Sequence, residues 1–148
     1  MSDDLITEMT NEWAKDAIID RTKILVEISR VPLLHSKYVN FYIKIRAKRS
    51  SIDKQLNSKK YLKRKYYRGE CTQSDLLDNG WSQYQGLKPS MTELNQLFDL
   101  DPDLNEIKER LEYWNTALAS IEFIIKAISS RGWELRTLVD YTKFLEGA

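Results

Sequence analysis

Residues 101–128 read DPDLNEIKERLEYWNTALASIEFIIKAI, and their spacing decides the fold class. Leu104, Ile107, Leu111, Trp114, Leu118, Ile121, Ile125 and Ile128 recur at alternating intervals of 3 and 4 residues. That is a heptad seam held for more than three heptads, and such a seam asks for a helical partner. Asp101-Pro102-Asp103 opens it with a favoured N-cap and a proline in the first turn. Tyr113, Phe123 and Ile124 flank the seam, so the helix is expected to bury more than one face. Gly132 is expected to break the helix. A last helix then carries Leu135, Leu138, Val139, Tyr141, Phe144 and Leu145. Two partners fit the seam: another helix of the same chain, or a second copy.

Upstream, Ser90 and Glu93 match a capping box before a short helix with Leu94, Leu97 and Phe98. Residues 69–89 hold Gly69, Gly80, Gly86 and Pro89 among polar residues. They are expected to form a loop or mobile arm, with a helical turn near Leu76. Gly69 is a C-cap candidate, because glycine tolerates the left-handed conformation. From Leu33 to Arg68 there is neither Pro nor Gly, which predicts one long helix. Pro32 should kink or restart it, since it removes an amide donor and crowds the preceding turn. Asp20 is a helix-start candidate, and residues 3–16 form a short amphipathic helix with Leu5, Met9 and Trp13 four apart. The fold class is all-α: a long kinked basic helix plus C-terminal helices. It divides into an N-terminal helical part (1–68), a loop or arm with a short helix (69–100) and a C-terminal helical part (101–148).

Along the long helix, Tyr38, Phe41, Ile45, Ile52 and Leu56 fall on one face at about 100° per residue. Past Leu56 the same face carries Lys59, Lys63, Tyr66 and Tyr67. The last three turns are therefore expected to leave the core and meet something anionic. Charge agrees. Residues 37–68 hold twelve basic residues and one acid, Asp53, although the whole chain has a formal net charge of only +1. Both flanking parts are acidic. Within the block, KKYLKRKYYR (59–68) interleaves six cations with three tyrosines.

Lys and Arg neutralise phosphates and release counterions. Tyrosine rings offer a flat face to unpaired bases, which single strands expose and duplexes hide. The block therefore suits single-stranded nucleic acid. A solvated helix face, or binding to an acidic protein, remains open, and nothing here separates DNA from RNA. Catalysis is poorly supported. His35 is the only histidine and Cys71 the only cysteine, so neither a multi-histidine metal site nor CxxC is possible. No GxxxxGK[ST] or GxGxxG occurs. Asp99, Asp101 and Asp103 read as helix-start residues before they read as a cation site. No cofactor is expected. The acidic N-terminus is not a secretory signal, no run of about eighteen apolar residues suggests a membrane span, and one cysteine fits a reducing compartment such as cytosol.

Taken in order, DAIIDRTK (16–23), LLHSKYVN (33–40), KYYRG (65–69), LEYW (111–114), SSRGW (129–133) and FLEG (144–147) resemble the UvsY family, the recombination mediators of T-even-type phages. The similarity runs from about Lys15 to the C-terminus and is weakest over 70–98. The resemblance implies a non-enzymatic protein of the infected host's cytoplasm that binds single-stranded DNA. It implies help in loading a RecA-like recombinase (UvsX-like) onto strands coated by the phage single-stranded-DNA-binding protein, in recombination, replication and repair. It also implies a ring-like homo-oligomer of six or seven subunits assembled by the C-terminal region. The assembly residues would be Leu104, Ile107, Leu111, Trp114, Leu118, Ile121, Ile125, Ile128, Trp133, Leu135, Leu138 and Phe144. The DNA-binding candidates are Lys44, Arg46, Lys48, Arg49, Lys59, Lys60, Tyr61, Lys63, Arg64, Lys65, Tyr66, Tyr67 and Arg68. The family's Lys-x-Arg pair before Tyr-Tyr falls here on Tyr61 and Lys63, with Lys60, Arg64 and Lys65 adjacent. The alternative is a non-catalytic coiled-coil protein, whose basic block meets its own acidic C-terminal part across subunits, or an RNA-binding protein.

Overall fold

The computed structural model describes residues 2–147, with side chains from 5 onward. Five helices come in order: α1 (Ser2–Asp16), α2 (Ile24–Tyr67), α3 (Gln73–Asn79), α4 (Met91–Leu100) and α5 (Pro102–Leu145). A single 3-10 turn, Arg21–Lys23, leads into α2, and Asp20 caps it by accepting from the Thr22 amide. No strand occurs among the described residues. The chain divides into two compact units, one of residues 1–47 with 114–148 and one of residues 48–113. The three-part linear division expected from sequence is not the one the contacts draw, because α2 and α5 each run through both units.

The first unit joins α1, the first half of α2 and most of α5. Its buried side chains are Met9, Glu27, Leu34, Tyr38, Phe41 and Ile45 on the N-terminal side. From α5 come Trp114, Ala117, Ile121, Ile124, Ile128, Arg131 and Leu135. Trp13 meets Tyr38 edge-on at 5.5 Å. Asp16, at the end of α1, is a polar hub: it accepts from Lys37 at 2.7 Å and from the Tyr38 hydroxyl at 2.9 Å. Burial alone would raise its carboxyl, but these donors outweigh burial and hold it below its ordinary value. Arg131 closes the end of α1 by donating to the carbonyls of Asp16 (2.7 Å) and Ala17 (3.0 Å). Those carbonyls would otherwise lack partners at a helix terminus.

Three expectations need correction here. Pro32 neither ends nor restarts a helix, since α2 continues across it. One missing amide bond and local crowding cost about 3 kcal/mol, and the buried row Leu34, Tyr38, Phe41 and Ile45 lies just beyond. Gly132 does not break α5 either. Its φ is not positive and a Cβ there would meet nothing within 4 Å. Glycine costs a helix only about 1 kcal/mol, less than the burial of Ile128, Arg131 and Leu135 around it returns. Finally, the buried line of α5 is not the full heptad seam. In the first unit it runs 114, 117, 121, 124, 128, 131, 135. Ala117, Ile124 and Arg131 belong to it, while Leu118 and Ile125 sit half-buried at its margin.

The second unit joins the end of α2, α3, α4 and the start of α5. Leu56, Leu94, Phe98 and Leu104 form its core, with Tyr67, Ile107 and Leu111 packed against it. Thr72 opens α3 and Ser90 opens α4, each through a complete capping box. Gly69 (φ 68°) ends α2 and Gly80 (φ 66°) ends α3, both in the left-handed region that a side chain disfavours.

Candidate nucleic-acid interface

The apolar row of α2 was legible: Tyr38, Phe41, Ile45, Ile52 and Leu56 are all buried. Beyond Leu56 the structure differs from expectation. The face carrying Lys59, Lys63, Tyr66 and Tyr67 does not leave the core of the second unit. It is covered by the segment from Gly69 to Asp103.

Lys63 is only 5% exposed. Its ammonium pairs with Asp101 at 3.1 Å and Asp103 at 2.7 Å. The Tyr67 hydroxyl donates to Asp101 at 2.7 Å. Asp101 also caps α5, where its other oxygen accepts from the amides of Asp103 (2.9 Å) and Leu104 (3.1 Å). Burial would raise the Asp101 carboxyl, but Tyr67, the Leu104 amide and Lys63 hold it below the ordinary 3.8. Burial would likewise lower Lys63, and the two aspartates instead raise it above its ordinary 10.5. Burial, and then Asp101, raise Tyr67. Asp101 and Asp103 are therefore a helix start and a counter-ion, whereas Asp99, expected as a helix-start residue, lies in the last turn of α4 and pairs loosely with Lys108 at 3.7 Å. Among the described residues no group of three or more His, Cys, Asp or Glu is arranged to hold a metal.

The tyrosines are occupied too. Tyr66 lies 5.3 Å from Tyr67, 5.2 Å from Trp81 and 5.7 Å from Tyr84. Tyr84 meets Tyr67 edge-on at 5.1 Å. Gly86 makes room for this arrangement, because a Cβ there would strike the Tyr84 ring. Lys59 and Lys63 sit over Trp81 at 5.2 and 4.4 Å, within the range of cation–π attraction.

The remaining cations lie on the other side of the same helix turns. Lys60 and Arg64, four residues apart, form a row turned by about 60° to 100° from the buried line. Beside it run Lys54, Tyr61 and Lys65. Tyr61 is 63% exposed, and the Lys65 ammonium lies 5.8 Å from its ring centre. Lys54 and Arg64 are exposed and Lys60 half-buried, and none has an ion-pair partner among the described residues. Lys65 pairs loosely with Asp75 at 3.5 Å, and Arg68 with Glu70 at 3.3 Å. Lys48 is exposed and Arg49 half-buried on α2 in this unit, while Lys44 and Arg46 are exposed in the first unit. Of the candidates, then, Lys60, Tyr61, Arg64 and Lys65 come together on a solvent-facing ridge, and Lys63, Tyr66 and Tyr67 do not join them. Sequence reading missed Lys54, although it lies seven residues before Tyr61 and so on the same face. It missed Trp81 and Tyr84 because no periodicity links an irregular segment to α2.

The assembly candidates divide as sharply. Leu104 is buried in the second unit, and Trp114, Ile121, Ile128 and Leu135 in the first. They are packed as core residues within the single chain. Ile107, Leu111, Leu118, Ile125 and Leu138 are half-buried. Only Trp133 (70%) and Phe144 (76%) face solvent, with Phe123, Tyr141 and Leu145 also exposed on α5.

The fold and the ridge define an all-helical protein with a solvent-facing cationic surface. Comparison with known proteins is specific. The family model described as recombination, repair and ssDNA binding protein UvsY matches residues 12–148, and the chain belongs to that family. Recombination protein uvsY of Enterobacteria phage T4 is 25% identical over 142 residues, covering 96% of this chain and 98% of that protein. Crystal structures of the bacteriophage T4 recombination mediator protein UvsY share the fold. One (lattice type II) has a TM-score of 0.81 at 23% identity, covering 95% of this chain and 96% of the other. Another (lattice type IV) has a TM-score of 0.77 at 22% identity, covering 94% and 98%. No helix among the described residues is long and apolar enough to cross a membrane.

The Lys63 site predicts an asymmetry between neighbouring lysines. Lys63→Ala leaves Asp101 buried without its cation and should cost about 3 kcal/mol of stability. Lys60→Ala should cost under about 0.5 kcal/mol. Urea unfolding followed by circular dichroism measures both, and equal losses would contradict the assignment. The pH dependence has a definite sign. Asp101, depressed when folded, contributes fully above its unfolded value and loses that contribution as pH falls through its folded value. Lys63, raised when folded, contributes fully below 10.5 and loses it only as pH rises through its higher folded value. Stability from this pair should be flat through neutral pH and fall in acid below about 3.8, and Lys63→Ala should shrink that acid-side drop, with the part due to Tyr67 and the Leu104 amide remaining.

Proposed function

We propose that this protein binds single-stranded DNA through the outer ridge of α2 and acts as a non-catalytic recombination mediator. The observation that carries the reading is the unpaired Lys60 and Arg64 row with unpaired Lys54 and exposed Tyr61 beside it, in a chain of the UvsY family. Cations without internal partners are the ones free to exchange counterions for phosphates. Tyr61 stands where the resemblance places a lysine, and it adds a stacking face to a ridge that binds mainly through charge. Lys44, Arg46, Lys48, Arg49, Lys59, Lys65 and Arg68 extend the positive potential along α2. Lys63 and Tyr67 are structural in this reading, held by Asp101 and Asp103.

The protein assembles as a ring of six or seven copies, which repeats the ridge and multiplies a modest single-site affinity. Exposed Trp133 and Phe144, with Tyr141 and Leu145 nearby, supply the apolar surface for assembly. A strand wrapped across subunits is deformed, its coating protein is released, and a RecA-like recombinase nucleates on the bared segment. The protein thereby serves recombination, repair and recombination-dependent replication in the cytoplasm of the infected host.

Changing Lys54, Lys60 and Arg64 together to Ala should weaken oligothymidylate binding. It should also flatten the dependence of log K on log salt by about 2, at about 0.7 per phosphate lost. An unchanged slope, measured by fluorescence anisotropy, would remove the ridge from the interface. Trp133→Ser with Phe144→Ser should yield smaller assemblies by native mass spectrometry while the helical signal persists. Retention of the full assembly mass would place the subunit interface elsewhere.

A further inference from the structure

The covered face of α2 holds a second feature that the ridge does not use. Trp81 sits in a place with the chemistry of a nucleobase site. Its indole lies 5.2 Å from the Tyr66 ring and beneath two ammonium groups, Lys63 at 4.4 Å and Lys59 at 5.2 Å. An aromatic slot with a cation on its rim is what a stacked base with its phosphate requires. Asp101 and Asp103 already satisfy Lys63. Lys59 has no ion-pair partner among the described residues, so its charge rests on the indole alone.

The segment carrying Trp81 is weakly held. From Gly69 to Glu93 no residue is fully buried, and α3 contributes nothing to the core. Segments with few buried apolar groups open at low free energy. The core that would remain, Leu56, Leu94, Phe98 and Leu104, does not include it. Tyr66 and Lys59 could therefore be bared while α4, α5 and the Lys63 pair stay in place.

We propose that Tyr66 and Lys59 form an inner subsite for one nucleotide of a single strand, and that Trp81 occupies it as an internal stand-in for the base. Lys59 directly precedes Lys60 on α2, about 100° around the helix, so a strand lying on Lys60 and Arg64 runs beside it. The strand's next base displaces Trp81 into solvent and stacks on Tyr66, and its phosphate takes Lys59. The proposal rests on the single-stranded reading of the ridge and adds to it a competing occupant of the same helix.

The sign of one substitution separates this from the simpler idea that Trp81 contacts DNA directly. Removing a competitor tightens binding, whereas removing a contact weakens it. Each lost cation–aromatic contact at a half-exposed site changes an equilibrium about twofold to fivefold. Trp81→Ala should therefore bind oligothymidylate about fivefold tighter than the unaltered protein, with Trp81→Phe between the two. In the unaltered chain labelled with 5-fluorotryptophan, the Trp81 resonance (assigned by Trp81→Phe) should move towards the position of solvent-exposed indole on adding oligothymidylate. Hydrogen exchange within 70–90 should speed up. Weaker or unchanged binding by Trp81→Ala, or slower exchange in 70–90, would overturn the proposal. Failure of the unaltered protein to bind oligothymidylate at all would instead overturn the ridge reading on which it stands.

Discussion

One buried ion pair organises the second unit. Lys63 comes from α2, while Asp101 and Asp103 come from the start of α5. Asp101 also accepts from Tyr67 and caps α5 through the Leu104 amide. The same carboxylate thus fixes where α5 begins, where the end of α2 lies beside it, and which side of α2 is closed to solvent. A buried pair of this kind is a weak source of net stability, but losing one partner is costly. That asymmetry is why the geometry holds: no member can leave without stranding a charge.

The consequence for function is rotational. A helix with cations all round its last turns has no inherent binding face. Closing the Lys63 side leaves Lys54, Lys60 and Arg64 on the open side, with Tyr61 between them. Charge that looked like one block in the sequence becomes two populations. One part is neutralised inside the chain and the other is free for an external polyanion. Lys63 does meet the chain's own acidic part, but within a single chain, whereas the coiled-coil alternative places that meeting across subunits.

Much of the fold was legible because it rests on local rules. The row from Tyr38 to Leu56 obeys helical periodicity, and the starts at Ser90 and Asp101 obey capping chemistry. What failed was long-range. Lys63 reads as a solvated residue until Asp101 and Asp103 are brought beside it, and nothing near Lys63 in sequence announces them. Pro32 reads as a kink or restart and Gly132 as a break because propensity is local, whereas the burial that carries both helices onward belongs to the packed unit. Arg131 was invisible in the seam for the same reason: its worth lies in the two carbonyls at the end of α1. The heptad seam was real, but for the residues that are buried its partner lies within one chain. The candidate site was legible as a region of α2 and not as a face.

The central claim is that DNA meets the outer ridge, while Lys63 itself stays closed in its ion pair. Lysine-reactive footprinting, read by mass spectrometry with and without oligothymidylate, tests it directly. Lys54 and Lys60 should react in the free protein and become protected by the oligonucleotide, with Lys63 unreactive in both states. A Lys63 that reacts in the free protein and is protected by DNA, with Lys54 and Lys60 unchanged, would contradict the account.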